Sequence, residues 1–245
     1  MKINLLSLSL ILVMVFLPMI LGAQSNGGNE SSDREPPIEE LYLKNPELQI
    51  INEEATSNDR EAKLRAITRV EKTLKEGTST DEEYTIALIL GHLAGEGTTT
   101  LHSEQGRLIN YFPEVRGQAC NALQFVKSDK AKAKAVNILI GVLINDIDPI
   151  VKSNAAYALG EIGLNEDERA AKALAEAVEI QDIMAPNDNF AYVAALAFEK
   201  IAKANDGIYE PRAYRALVKI AQGNYSKVVK DKALEVLEEL KQYSK

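Results

Sequence analysis

The chain has 245 residues, 28 Lys and Arg against 36 Asp and Glu, a formal net charge of −8 and 46% apolar residues. This balance excludes wholesale disorder and argues against a nucleic-acid binder, whose footprint is a basic excess. A single Cys excludes an internal disulfide framework and a Cys-rich zinc module.

The chain opens with Lys2, an apolar run from Leu5 to Leu21, and the small pair Gly22-Ala23. Charge, apolar run and small residues in that order are the layout of a secretory signal peptide over residues 1–23, cut after Ala23. The rival reading is a retained membrane anchor, because the run approaches the ~20 residues that span hydrocarbon. Pro18 and the Gly-Ala end favour cleavage. Residues 24–37 are polar, carry Gly and Ser and end in Pro36-Pro37, which predicts a disordered linker.

Residues 38–57 read as an amino-terminal capping region. Asn45-Pro46 is a cap followed by proline at the first helical position, and Glu47 to Ala55 can continue that helix. The remainder, 58–245, reads as helical repeats. Leu64, Ile67, Val70 and Leu74 share one helical face, and Gly77 is expected to end the helix as a left-handed cap. Ser79 to Glu82 is a capping box ahead of the apolar run Ile86 to Leu93. Residues 98–112 are expected to form a second helix made irregular by threonines. No segment alternates long enough to predict a convincing strand.

From residue 113 the pattern repeats. Val115, Ala119, Ala122, Leu123 and Val126 recur as Val151, Ala155, Ala158, Leu159 and Ile162, at an offset of 36. Phe190, Ala194, Ala197, Phe198 and Ile201 follow at 39, and Val229, Ala233, Val236, Leu237 and Leu240 at a further 39. Ile86, Ile89, Leu90 and Leu93 read as a weaker copy upstream. Spacing of this kind marks one face of an α-helix, and a period of ~35–40 residues with two helices per unit marks a helical solenoid. Second helices are predicted at Lys130 to Ile144, Asp167 to Ile180 and Pro211 to Gln222. The first of them is apolar nearly all round and is expected to be the most buried helix.

The segments PEVRGQACNALQFV and DPIVKSNAAYALGEIG resemble HEAT repeats, especially the short phycobilisome-lyase type, within the armadillo-like helical superfamily. Asp148, Pro149, Val151, Lys152, Ala155, Ala156, Ala158, Leu159, Gly160, Ile162 and Gly163 carry the closest match. The resemblance implies an all-α fold, a right-handed α-α superhelix: a HEAT-like solenoid of about five helical hairpins after the signal segment. It also implies that Arg116 and Lys152, at equivalent places, pair with acids in an inter-repeat ladder. In this family the second helices usually line the concave side. Lys130, Lys132, Lys134, Glu168, Arg169, Lys172, Arg212 and Arg215 are therefore candidate partner-binding residues. Tyr157 and Tyr192, near equivalent turns of neighbouring first helices, are candidates because aromatics are enriched at hot spots.

No catalytic constellation stands out. His92 and His102 lack the i, i+4 spacing of a helical metal site, and Cys120 falls at a register position held elsewhere by Ala156 and Ala195. No catalytic residue, metal ligand or cofactor is expected. The sequence therefore points to an exported, periplasmic or secreted, non-enzymatic scaffold or adaptor with a protein partner and no nucleic acid. Membrane contact is expected only if the amino-terminal segment is retained. The alternatives are a membrane-anchored structural subunit of an envelope complex and, through the resemblance alone, a bilin lyase-like enzyme.

Overall fold

A computed structural model describes residues 45–98 and 100–243. The signal segment, the linker and residues 38–44 of the capping region lie outside the described residues. Among the described residues ten α-helices run in chain order: α1 Pro46–Thr56, α2 Arg60–Glu76, α3 Thr80–Gly95, α4 Pro113–Ala122, α5 Asp129–Asn145, α6 Pro149–Ile162, α7 Arg169–Met184, α8 Asp188–Ala204, α9 Pro211–Gln222 and α10 Lys227–Leu240. Two short strands, β1 Ser103–Glu104 and β2 Arg107–Leu108, interrupt the connection between α3 and α4. Among the described residues no helix is long and apolar enough to cross a membrane.

The helices stack in two layers. The first layer is α2, α4, α6, α8 and α10, each packed on the next; α1, α3, α5, α7 and α9 form the second. Of its first-layer neighbours, each second-layer helix packs most closely on the one that follows it, which gives five hairpins among the described residues. A lone hairpin would expose its inner face to water, and a neighbour removes it at roughly 25 cal/mol per Å² of apolar area. The result is one continuous core from Leu48 to Leu240.

Helix ends follow the sequence. Asn45 accepts from the Glu47 N–H, Asp148 from Ile150 and Val151, and Asn187 from Phe190. Ser79 and Glu82 form the reciprocal capping box on α3. Asn45 also donates to Glu82 across 2.6 Å and so ties α1 to the start of α3. Gly163 closes α6 in the left-handed region. Gly160 is needed for a different reason: a Cβ there would stand 2.9 Å from the Ala197 Cα, so α6 and α8 approach nearly backbone to backbone.

Several expectations are corrected. The described residues between 98 and 112 are not a helix. Ser103 pairs with Leu108 and Glu104 with Arg107, and the turn between them takes positive φ at both Gln105 and Gly106. This is the conformation that two-residue hairpin turns require. Asn110 holds the loop closed, accepting from the His102 N–H and donating to the Thr100 carbonyl, each at 2.8 Å. As a consequence the Ile86 to Leu93 run is not a first-layer copy: α3 packs on α5 in the second layer, and α2 holds the first-layer place. The α5 helix is not the most buried. Ile144 is exposed and Ile138 and Ile140 are half-buried, because one side of α5 lies at the surface. Gly77 ends α2 with positive φ but extended ψ, not as a left-handed cap.

The ladder is present, but not as expected. Buried Arg116 holds Asp146 through two hydrogen bonds, at 2.7 and 3.2 Å, beneath the Tyr111 ring. Buried Lys63 on α2 makes an equivalent pair with Glu96 at 2.7 Å. Glu96 and Asp146 occupy the same place, the cap residue after a second-layer helix. Among the described residues Lys152 has no such partner. The cap residue after α7 is Ala185, which supplies no carboxylate.

Candidate functional site

Three of the five second-layer helices together carry an unusual charge. Helices α5, α7 and α9 contain eight Lys and Arg against four Asp and Glu, in a chain whose net charge is −8. These cations lie on the polar faces left over once Ala131, Ala135, Leu139, Leu174, Val178, Leu217 and Ile220 turn inward. All the lysines and arginines in the candidate set stand on these three helices, and the stacking of α5, α7 and α9 brings them onto one layer.

Their engagement differs. Lys130 sits over the buried Tyr84 ring at 4.2 Å and Lys134 over the same ring at 5.9 Å, so one aromatic face from α3 receives two ammonium groups. Arg169 donates to the Asn137 side chain at 2.7 Å, which links α7 to α5. Arg212 lies 3.8 Å from Glu176, and Lys219 lies 3.4 Å from Asp182. Among the described residues, Lys132, Lys172 and Arg215 have no carboxylate within salt-bridge distance. Lys172 and Arg215 are exposed.

Glu168 stands in the turn before α7 with positive φ and accepts from the Asn165 amide at 3.0 Å. The two tyrosines belong to the other layer. Tyr157 on α6 is beneath the Lys200 ammonium at 4.9 Å, and its hydroxyl is pushed up by the Glu161 carboxylate beside it. Tyr192 packs half-buried against the core on α8. The structure gathers the cations and leaves the tyrosines with different neighbours.

A shallow groove of about 240 Å³ runs between α3 and α5, lined by Gly91, Ala94, Gly95, Ile138, Gly141 and Val142, with Thr98, Asn137 and Asn145 at its polar edge. Sequence reasoning missed Tyr84, Asn137 and this groove. The i, i+4 spacing of Lys130 and Lys134 was the available signal that both could reach one ring. Gly91 and Gly95 stand in the last turns of α3.

The sparse catalytic residue types do not converge. His92 is exposed on α3, His102 is exposed before β1, and Cys120 is buried beside the Arg116–Asp146 pair. Burial, reinforced by Asp146, pushes the Cys120 thiol up and disfavours the thiolate. Among the described residues no three His, Cys, Asp or Glu side chains are grouped to hold a metal ion.

Comparison with known proteins agrees with this architecture. The sequence model of the HEAT-repeat family matches residues 107–185, which span α4 to α7. No curated protein matches the chain. Among solved structures, an engineered protein whose crystal structure came from the Northeast Structural Genomics Consortium is similar at 18% identity and a TM-score of 0.40, over 85% of this chain and 100% of that one. The family match over α4 to α7 shows that residues 107–185 are similar to HEAT repeats, and hairpins stacked in the same two layers continue that arrangement on either side.

Proposed function

We propose that the chain is an exported, non-enzymatic scaffold or adaptor that holds an acidic protein partner against α5, α7 and α9. One observation carries this reading: a chain with an acidic total concentrates an excess of four positive charges on three neighbouring helices of one layer. Charge separated in this way steers an oppositely charged surface and favours its encounter. Lys132, Lys172 and Arg215, unspent on internal ion pairs, are the residues that would meet partner carboxylates. The HEAT-repeat fold supports a binding role, since a solenoid can vary the polar side of a helix without disturbing its core. The amino-terminal layout of charge, apolar run and small residues supports export to the periplasm or the secreted space.

The test is cross-linking in the native cell envelope, with the parent chain beside a Lys132→Glu, Lys172→Glu, Arg215→Glu variant. The parent is expected to retain a discrete set of acidic proteins that the triple variant loses, with unchanged helical circular dichroism. Equal retention by both chains overturns the cationic-face reading. Fractionation tests location: a mature chain starting at Gln24 in the soluble exported fraction is expected, and full-length protein that stays in membranes after a salt wash overturns it in favour of an anchored subunit.

A further inference from the structure

The ladder has a vacant acid position. Lys63 reaches Glu96, 33 residues on, and the cap residue at the same separation from Lys152 is Ala185. Lys152 is only 4% exposed, yet among the described residues no carboxylate lies within salt-bridge distance. Asp146, the acid that acts on it, has both carboxylate oxygens engaged by Arg116, through Nε and Nη2. Burial holds the Lys152 ammonium below the ordinary lysine range, with Asp146 opposing the shift. An inward ammonium without a counter-ion is costly unless something supplies one.

The surface beside it is apolar. Ile147 and Ile150, where α5 hands over to α6, and Ile183 and Met184, where α7 hands over to α8, are between 65% and 77% exposed. The two connections are neighbours, since Asn189 at the start of α8 donates to Ser153, the residue after Lys152. Ala185 lies exposed between Met184 and Pro186. Four large exposed apolar side chains on the two connections that border the open rung call for an occupant that is apolar and carries a single negative charge.

We propose that this edge docks a protein segment in which one Asp or Glu is flanked by apolar residues, its carboxylate closing the third rung on Lys152 while the flanks cover Ile147, Ile150, Ile183 and Met184. The docking edge is separate from the cationic second-layer face, so either can fail alone. A single recessed cation suits one carboxylate. An anionic membrane would need several exposed cations here, and instead Asp148 and Asp188 stand at the two helix starts.

The experiment is selection of a random displayed peptide library on the full chain, followed by affinity measurement on variants. Enriched peptides are expected to carry an acid between apolar residues. They are expected to bind at least tenfold more weakly to Lys152→Met and to Ala185→Glu, which fills the rung from within. The Ile183→Ser, Met184→Ser double variant changes only exposed side chains and is expected to lose binding with its melting temperature unchanged. Peptides that lack an acid, peptides that bind Lys152→Met as tightly as the parent, or no enrichment at all would overturn the proposal. So would binding to phosphatidylglycerol vesicles that needs Ile183 and Met184 but not Lys152. Loss of binding in the Lys132, Lys172, Arg215 variant would reassign the peptides to the second-layer face.

Discussion

The amino-terminal and carboxy-terminal hairpins solve the same packing problem differently. From α1 to α6 the rungs between layers are closed by buried ion pairs, Lys63 with Glu96 and Arg116 with Asp146. From α6 onward they lapse: the cap residue after α7 is Ala185, which offers Lys152 no carboxylate, and the next first-layer helix has Ala191 at the place of Lys152. Helix α8 nevertheless packs on α6 at least as intimately as α6 on α4, through Gly160 against Ala197. Register in this stack is therefore set by small residues at helix crossings. Buried ion pairs add specificity at a desolvation cost that nearly cancels their attraction. A rung can disappear without loss of the fold, and the cation left behind becomes available.

The largest effect expected from breaking this contrast is at Asp146. Asp146→Ala gives the second rung the chemistry of the third and strands Arg116, with loss of roughly 3–5 kcal/mol, the cost of a buried charge that loses its partner. A urea midpoint that falls without a change in slope would show it. Acid acts next, at the amino-terminal end. The Thr78 hydroxyl, the Ser79 N–H and the Asn45 amide hold the Glu82 carboxylate down to about 2. A depressed carboxylate stabilises the fold above its ordinary value of 4.5 and loses that contribution as pH falls toward about 2. Glu82→Gln is expected to cost about 2 kcal/mol at pH 7 and nothing near pH 2. Thermal unfolding of both chains across that range checks the sign. The smallest effect is at the open rung: Lys152→Met removes an inward charge with no partner and is expected to raise stability by about 1 kcal/mol. A lower melting temperature would mean that Lys152 is satisfied in the free protein and would remove the contrast.

Much of the fold was legible because core positions repeat. Val115, Val151, Phe190 and Val229 stand at one register place, and the structure buries all four. The caps at Asn45, Ser79, Asp148 and Asn187 were equally readable, since each side chain acts on N–H groups two or three residues away. The β-turn at Gln105-Gly106 was legible in principle, but a strand pair two residues long leaves no alternation to detect. The assignment of Ile86 to Leu93 failed for the same reason. Once 98–112 was taken as a helix, the layers upstream exchanged places. The candidate cations were found through family resemblance and helix position. Tyr84 and the groove between α3 and α5 were missed because their meaning depends on which helix lies opposite.

Local spacing along the chain decided that there would be helices, where they would begin and which side of each would be greasy, because those properties are set within a few residues. Which helices share a layer, which acid each inward cation meets and where one meets none were settled only when the hairpins stacked. Contacts between residues some 30 positions apart depend on the geometry of the whole pile, and no window of sequence contains it.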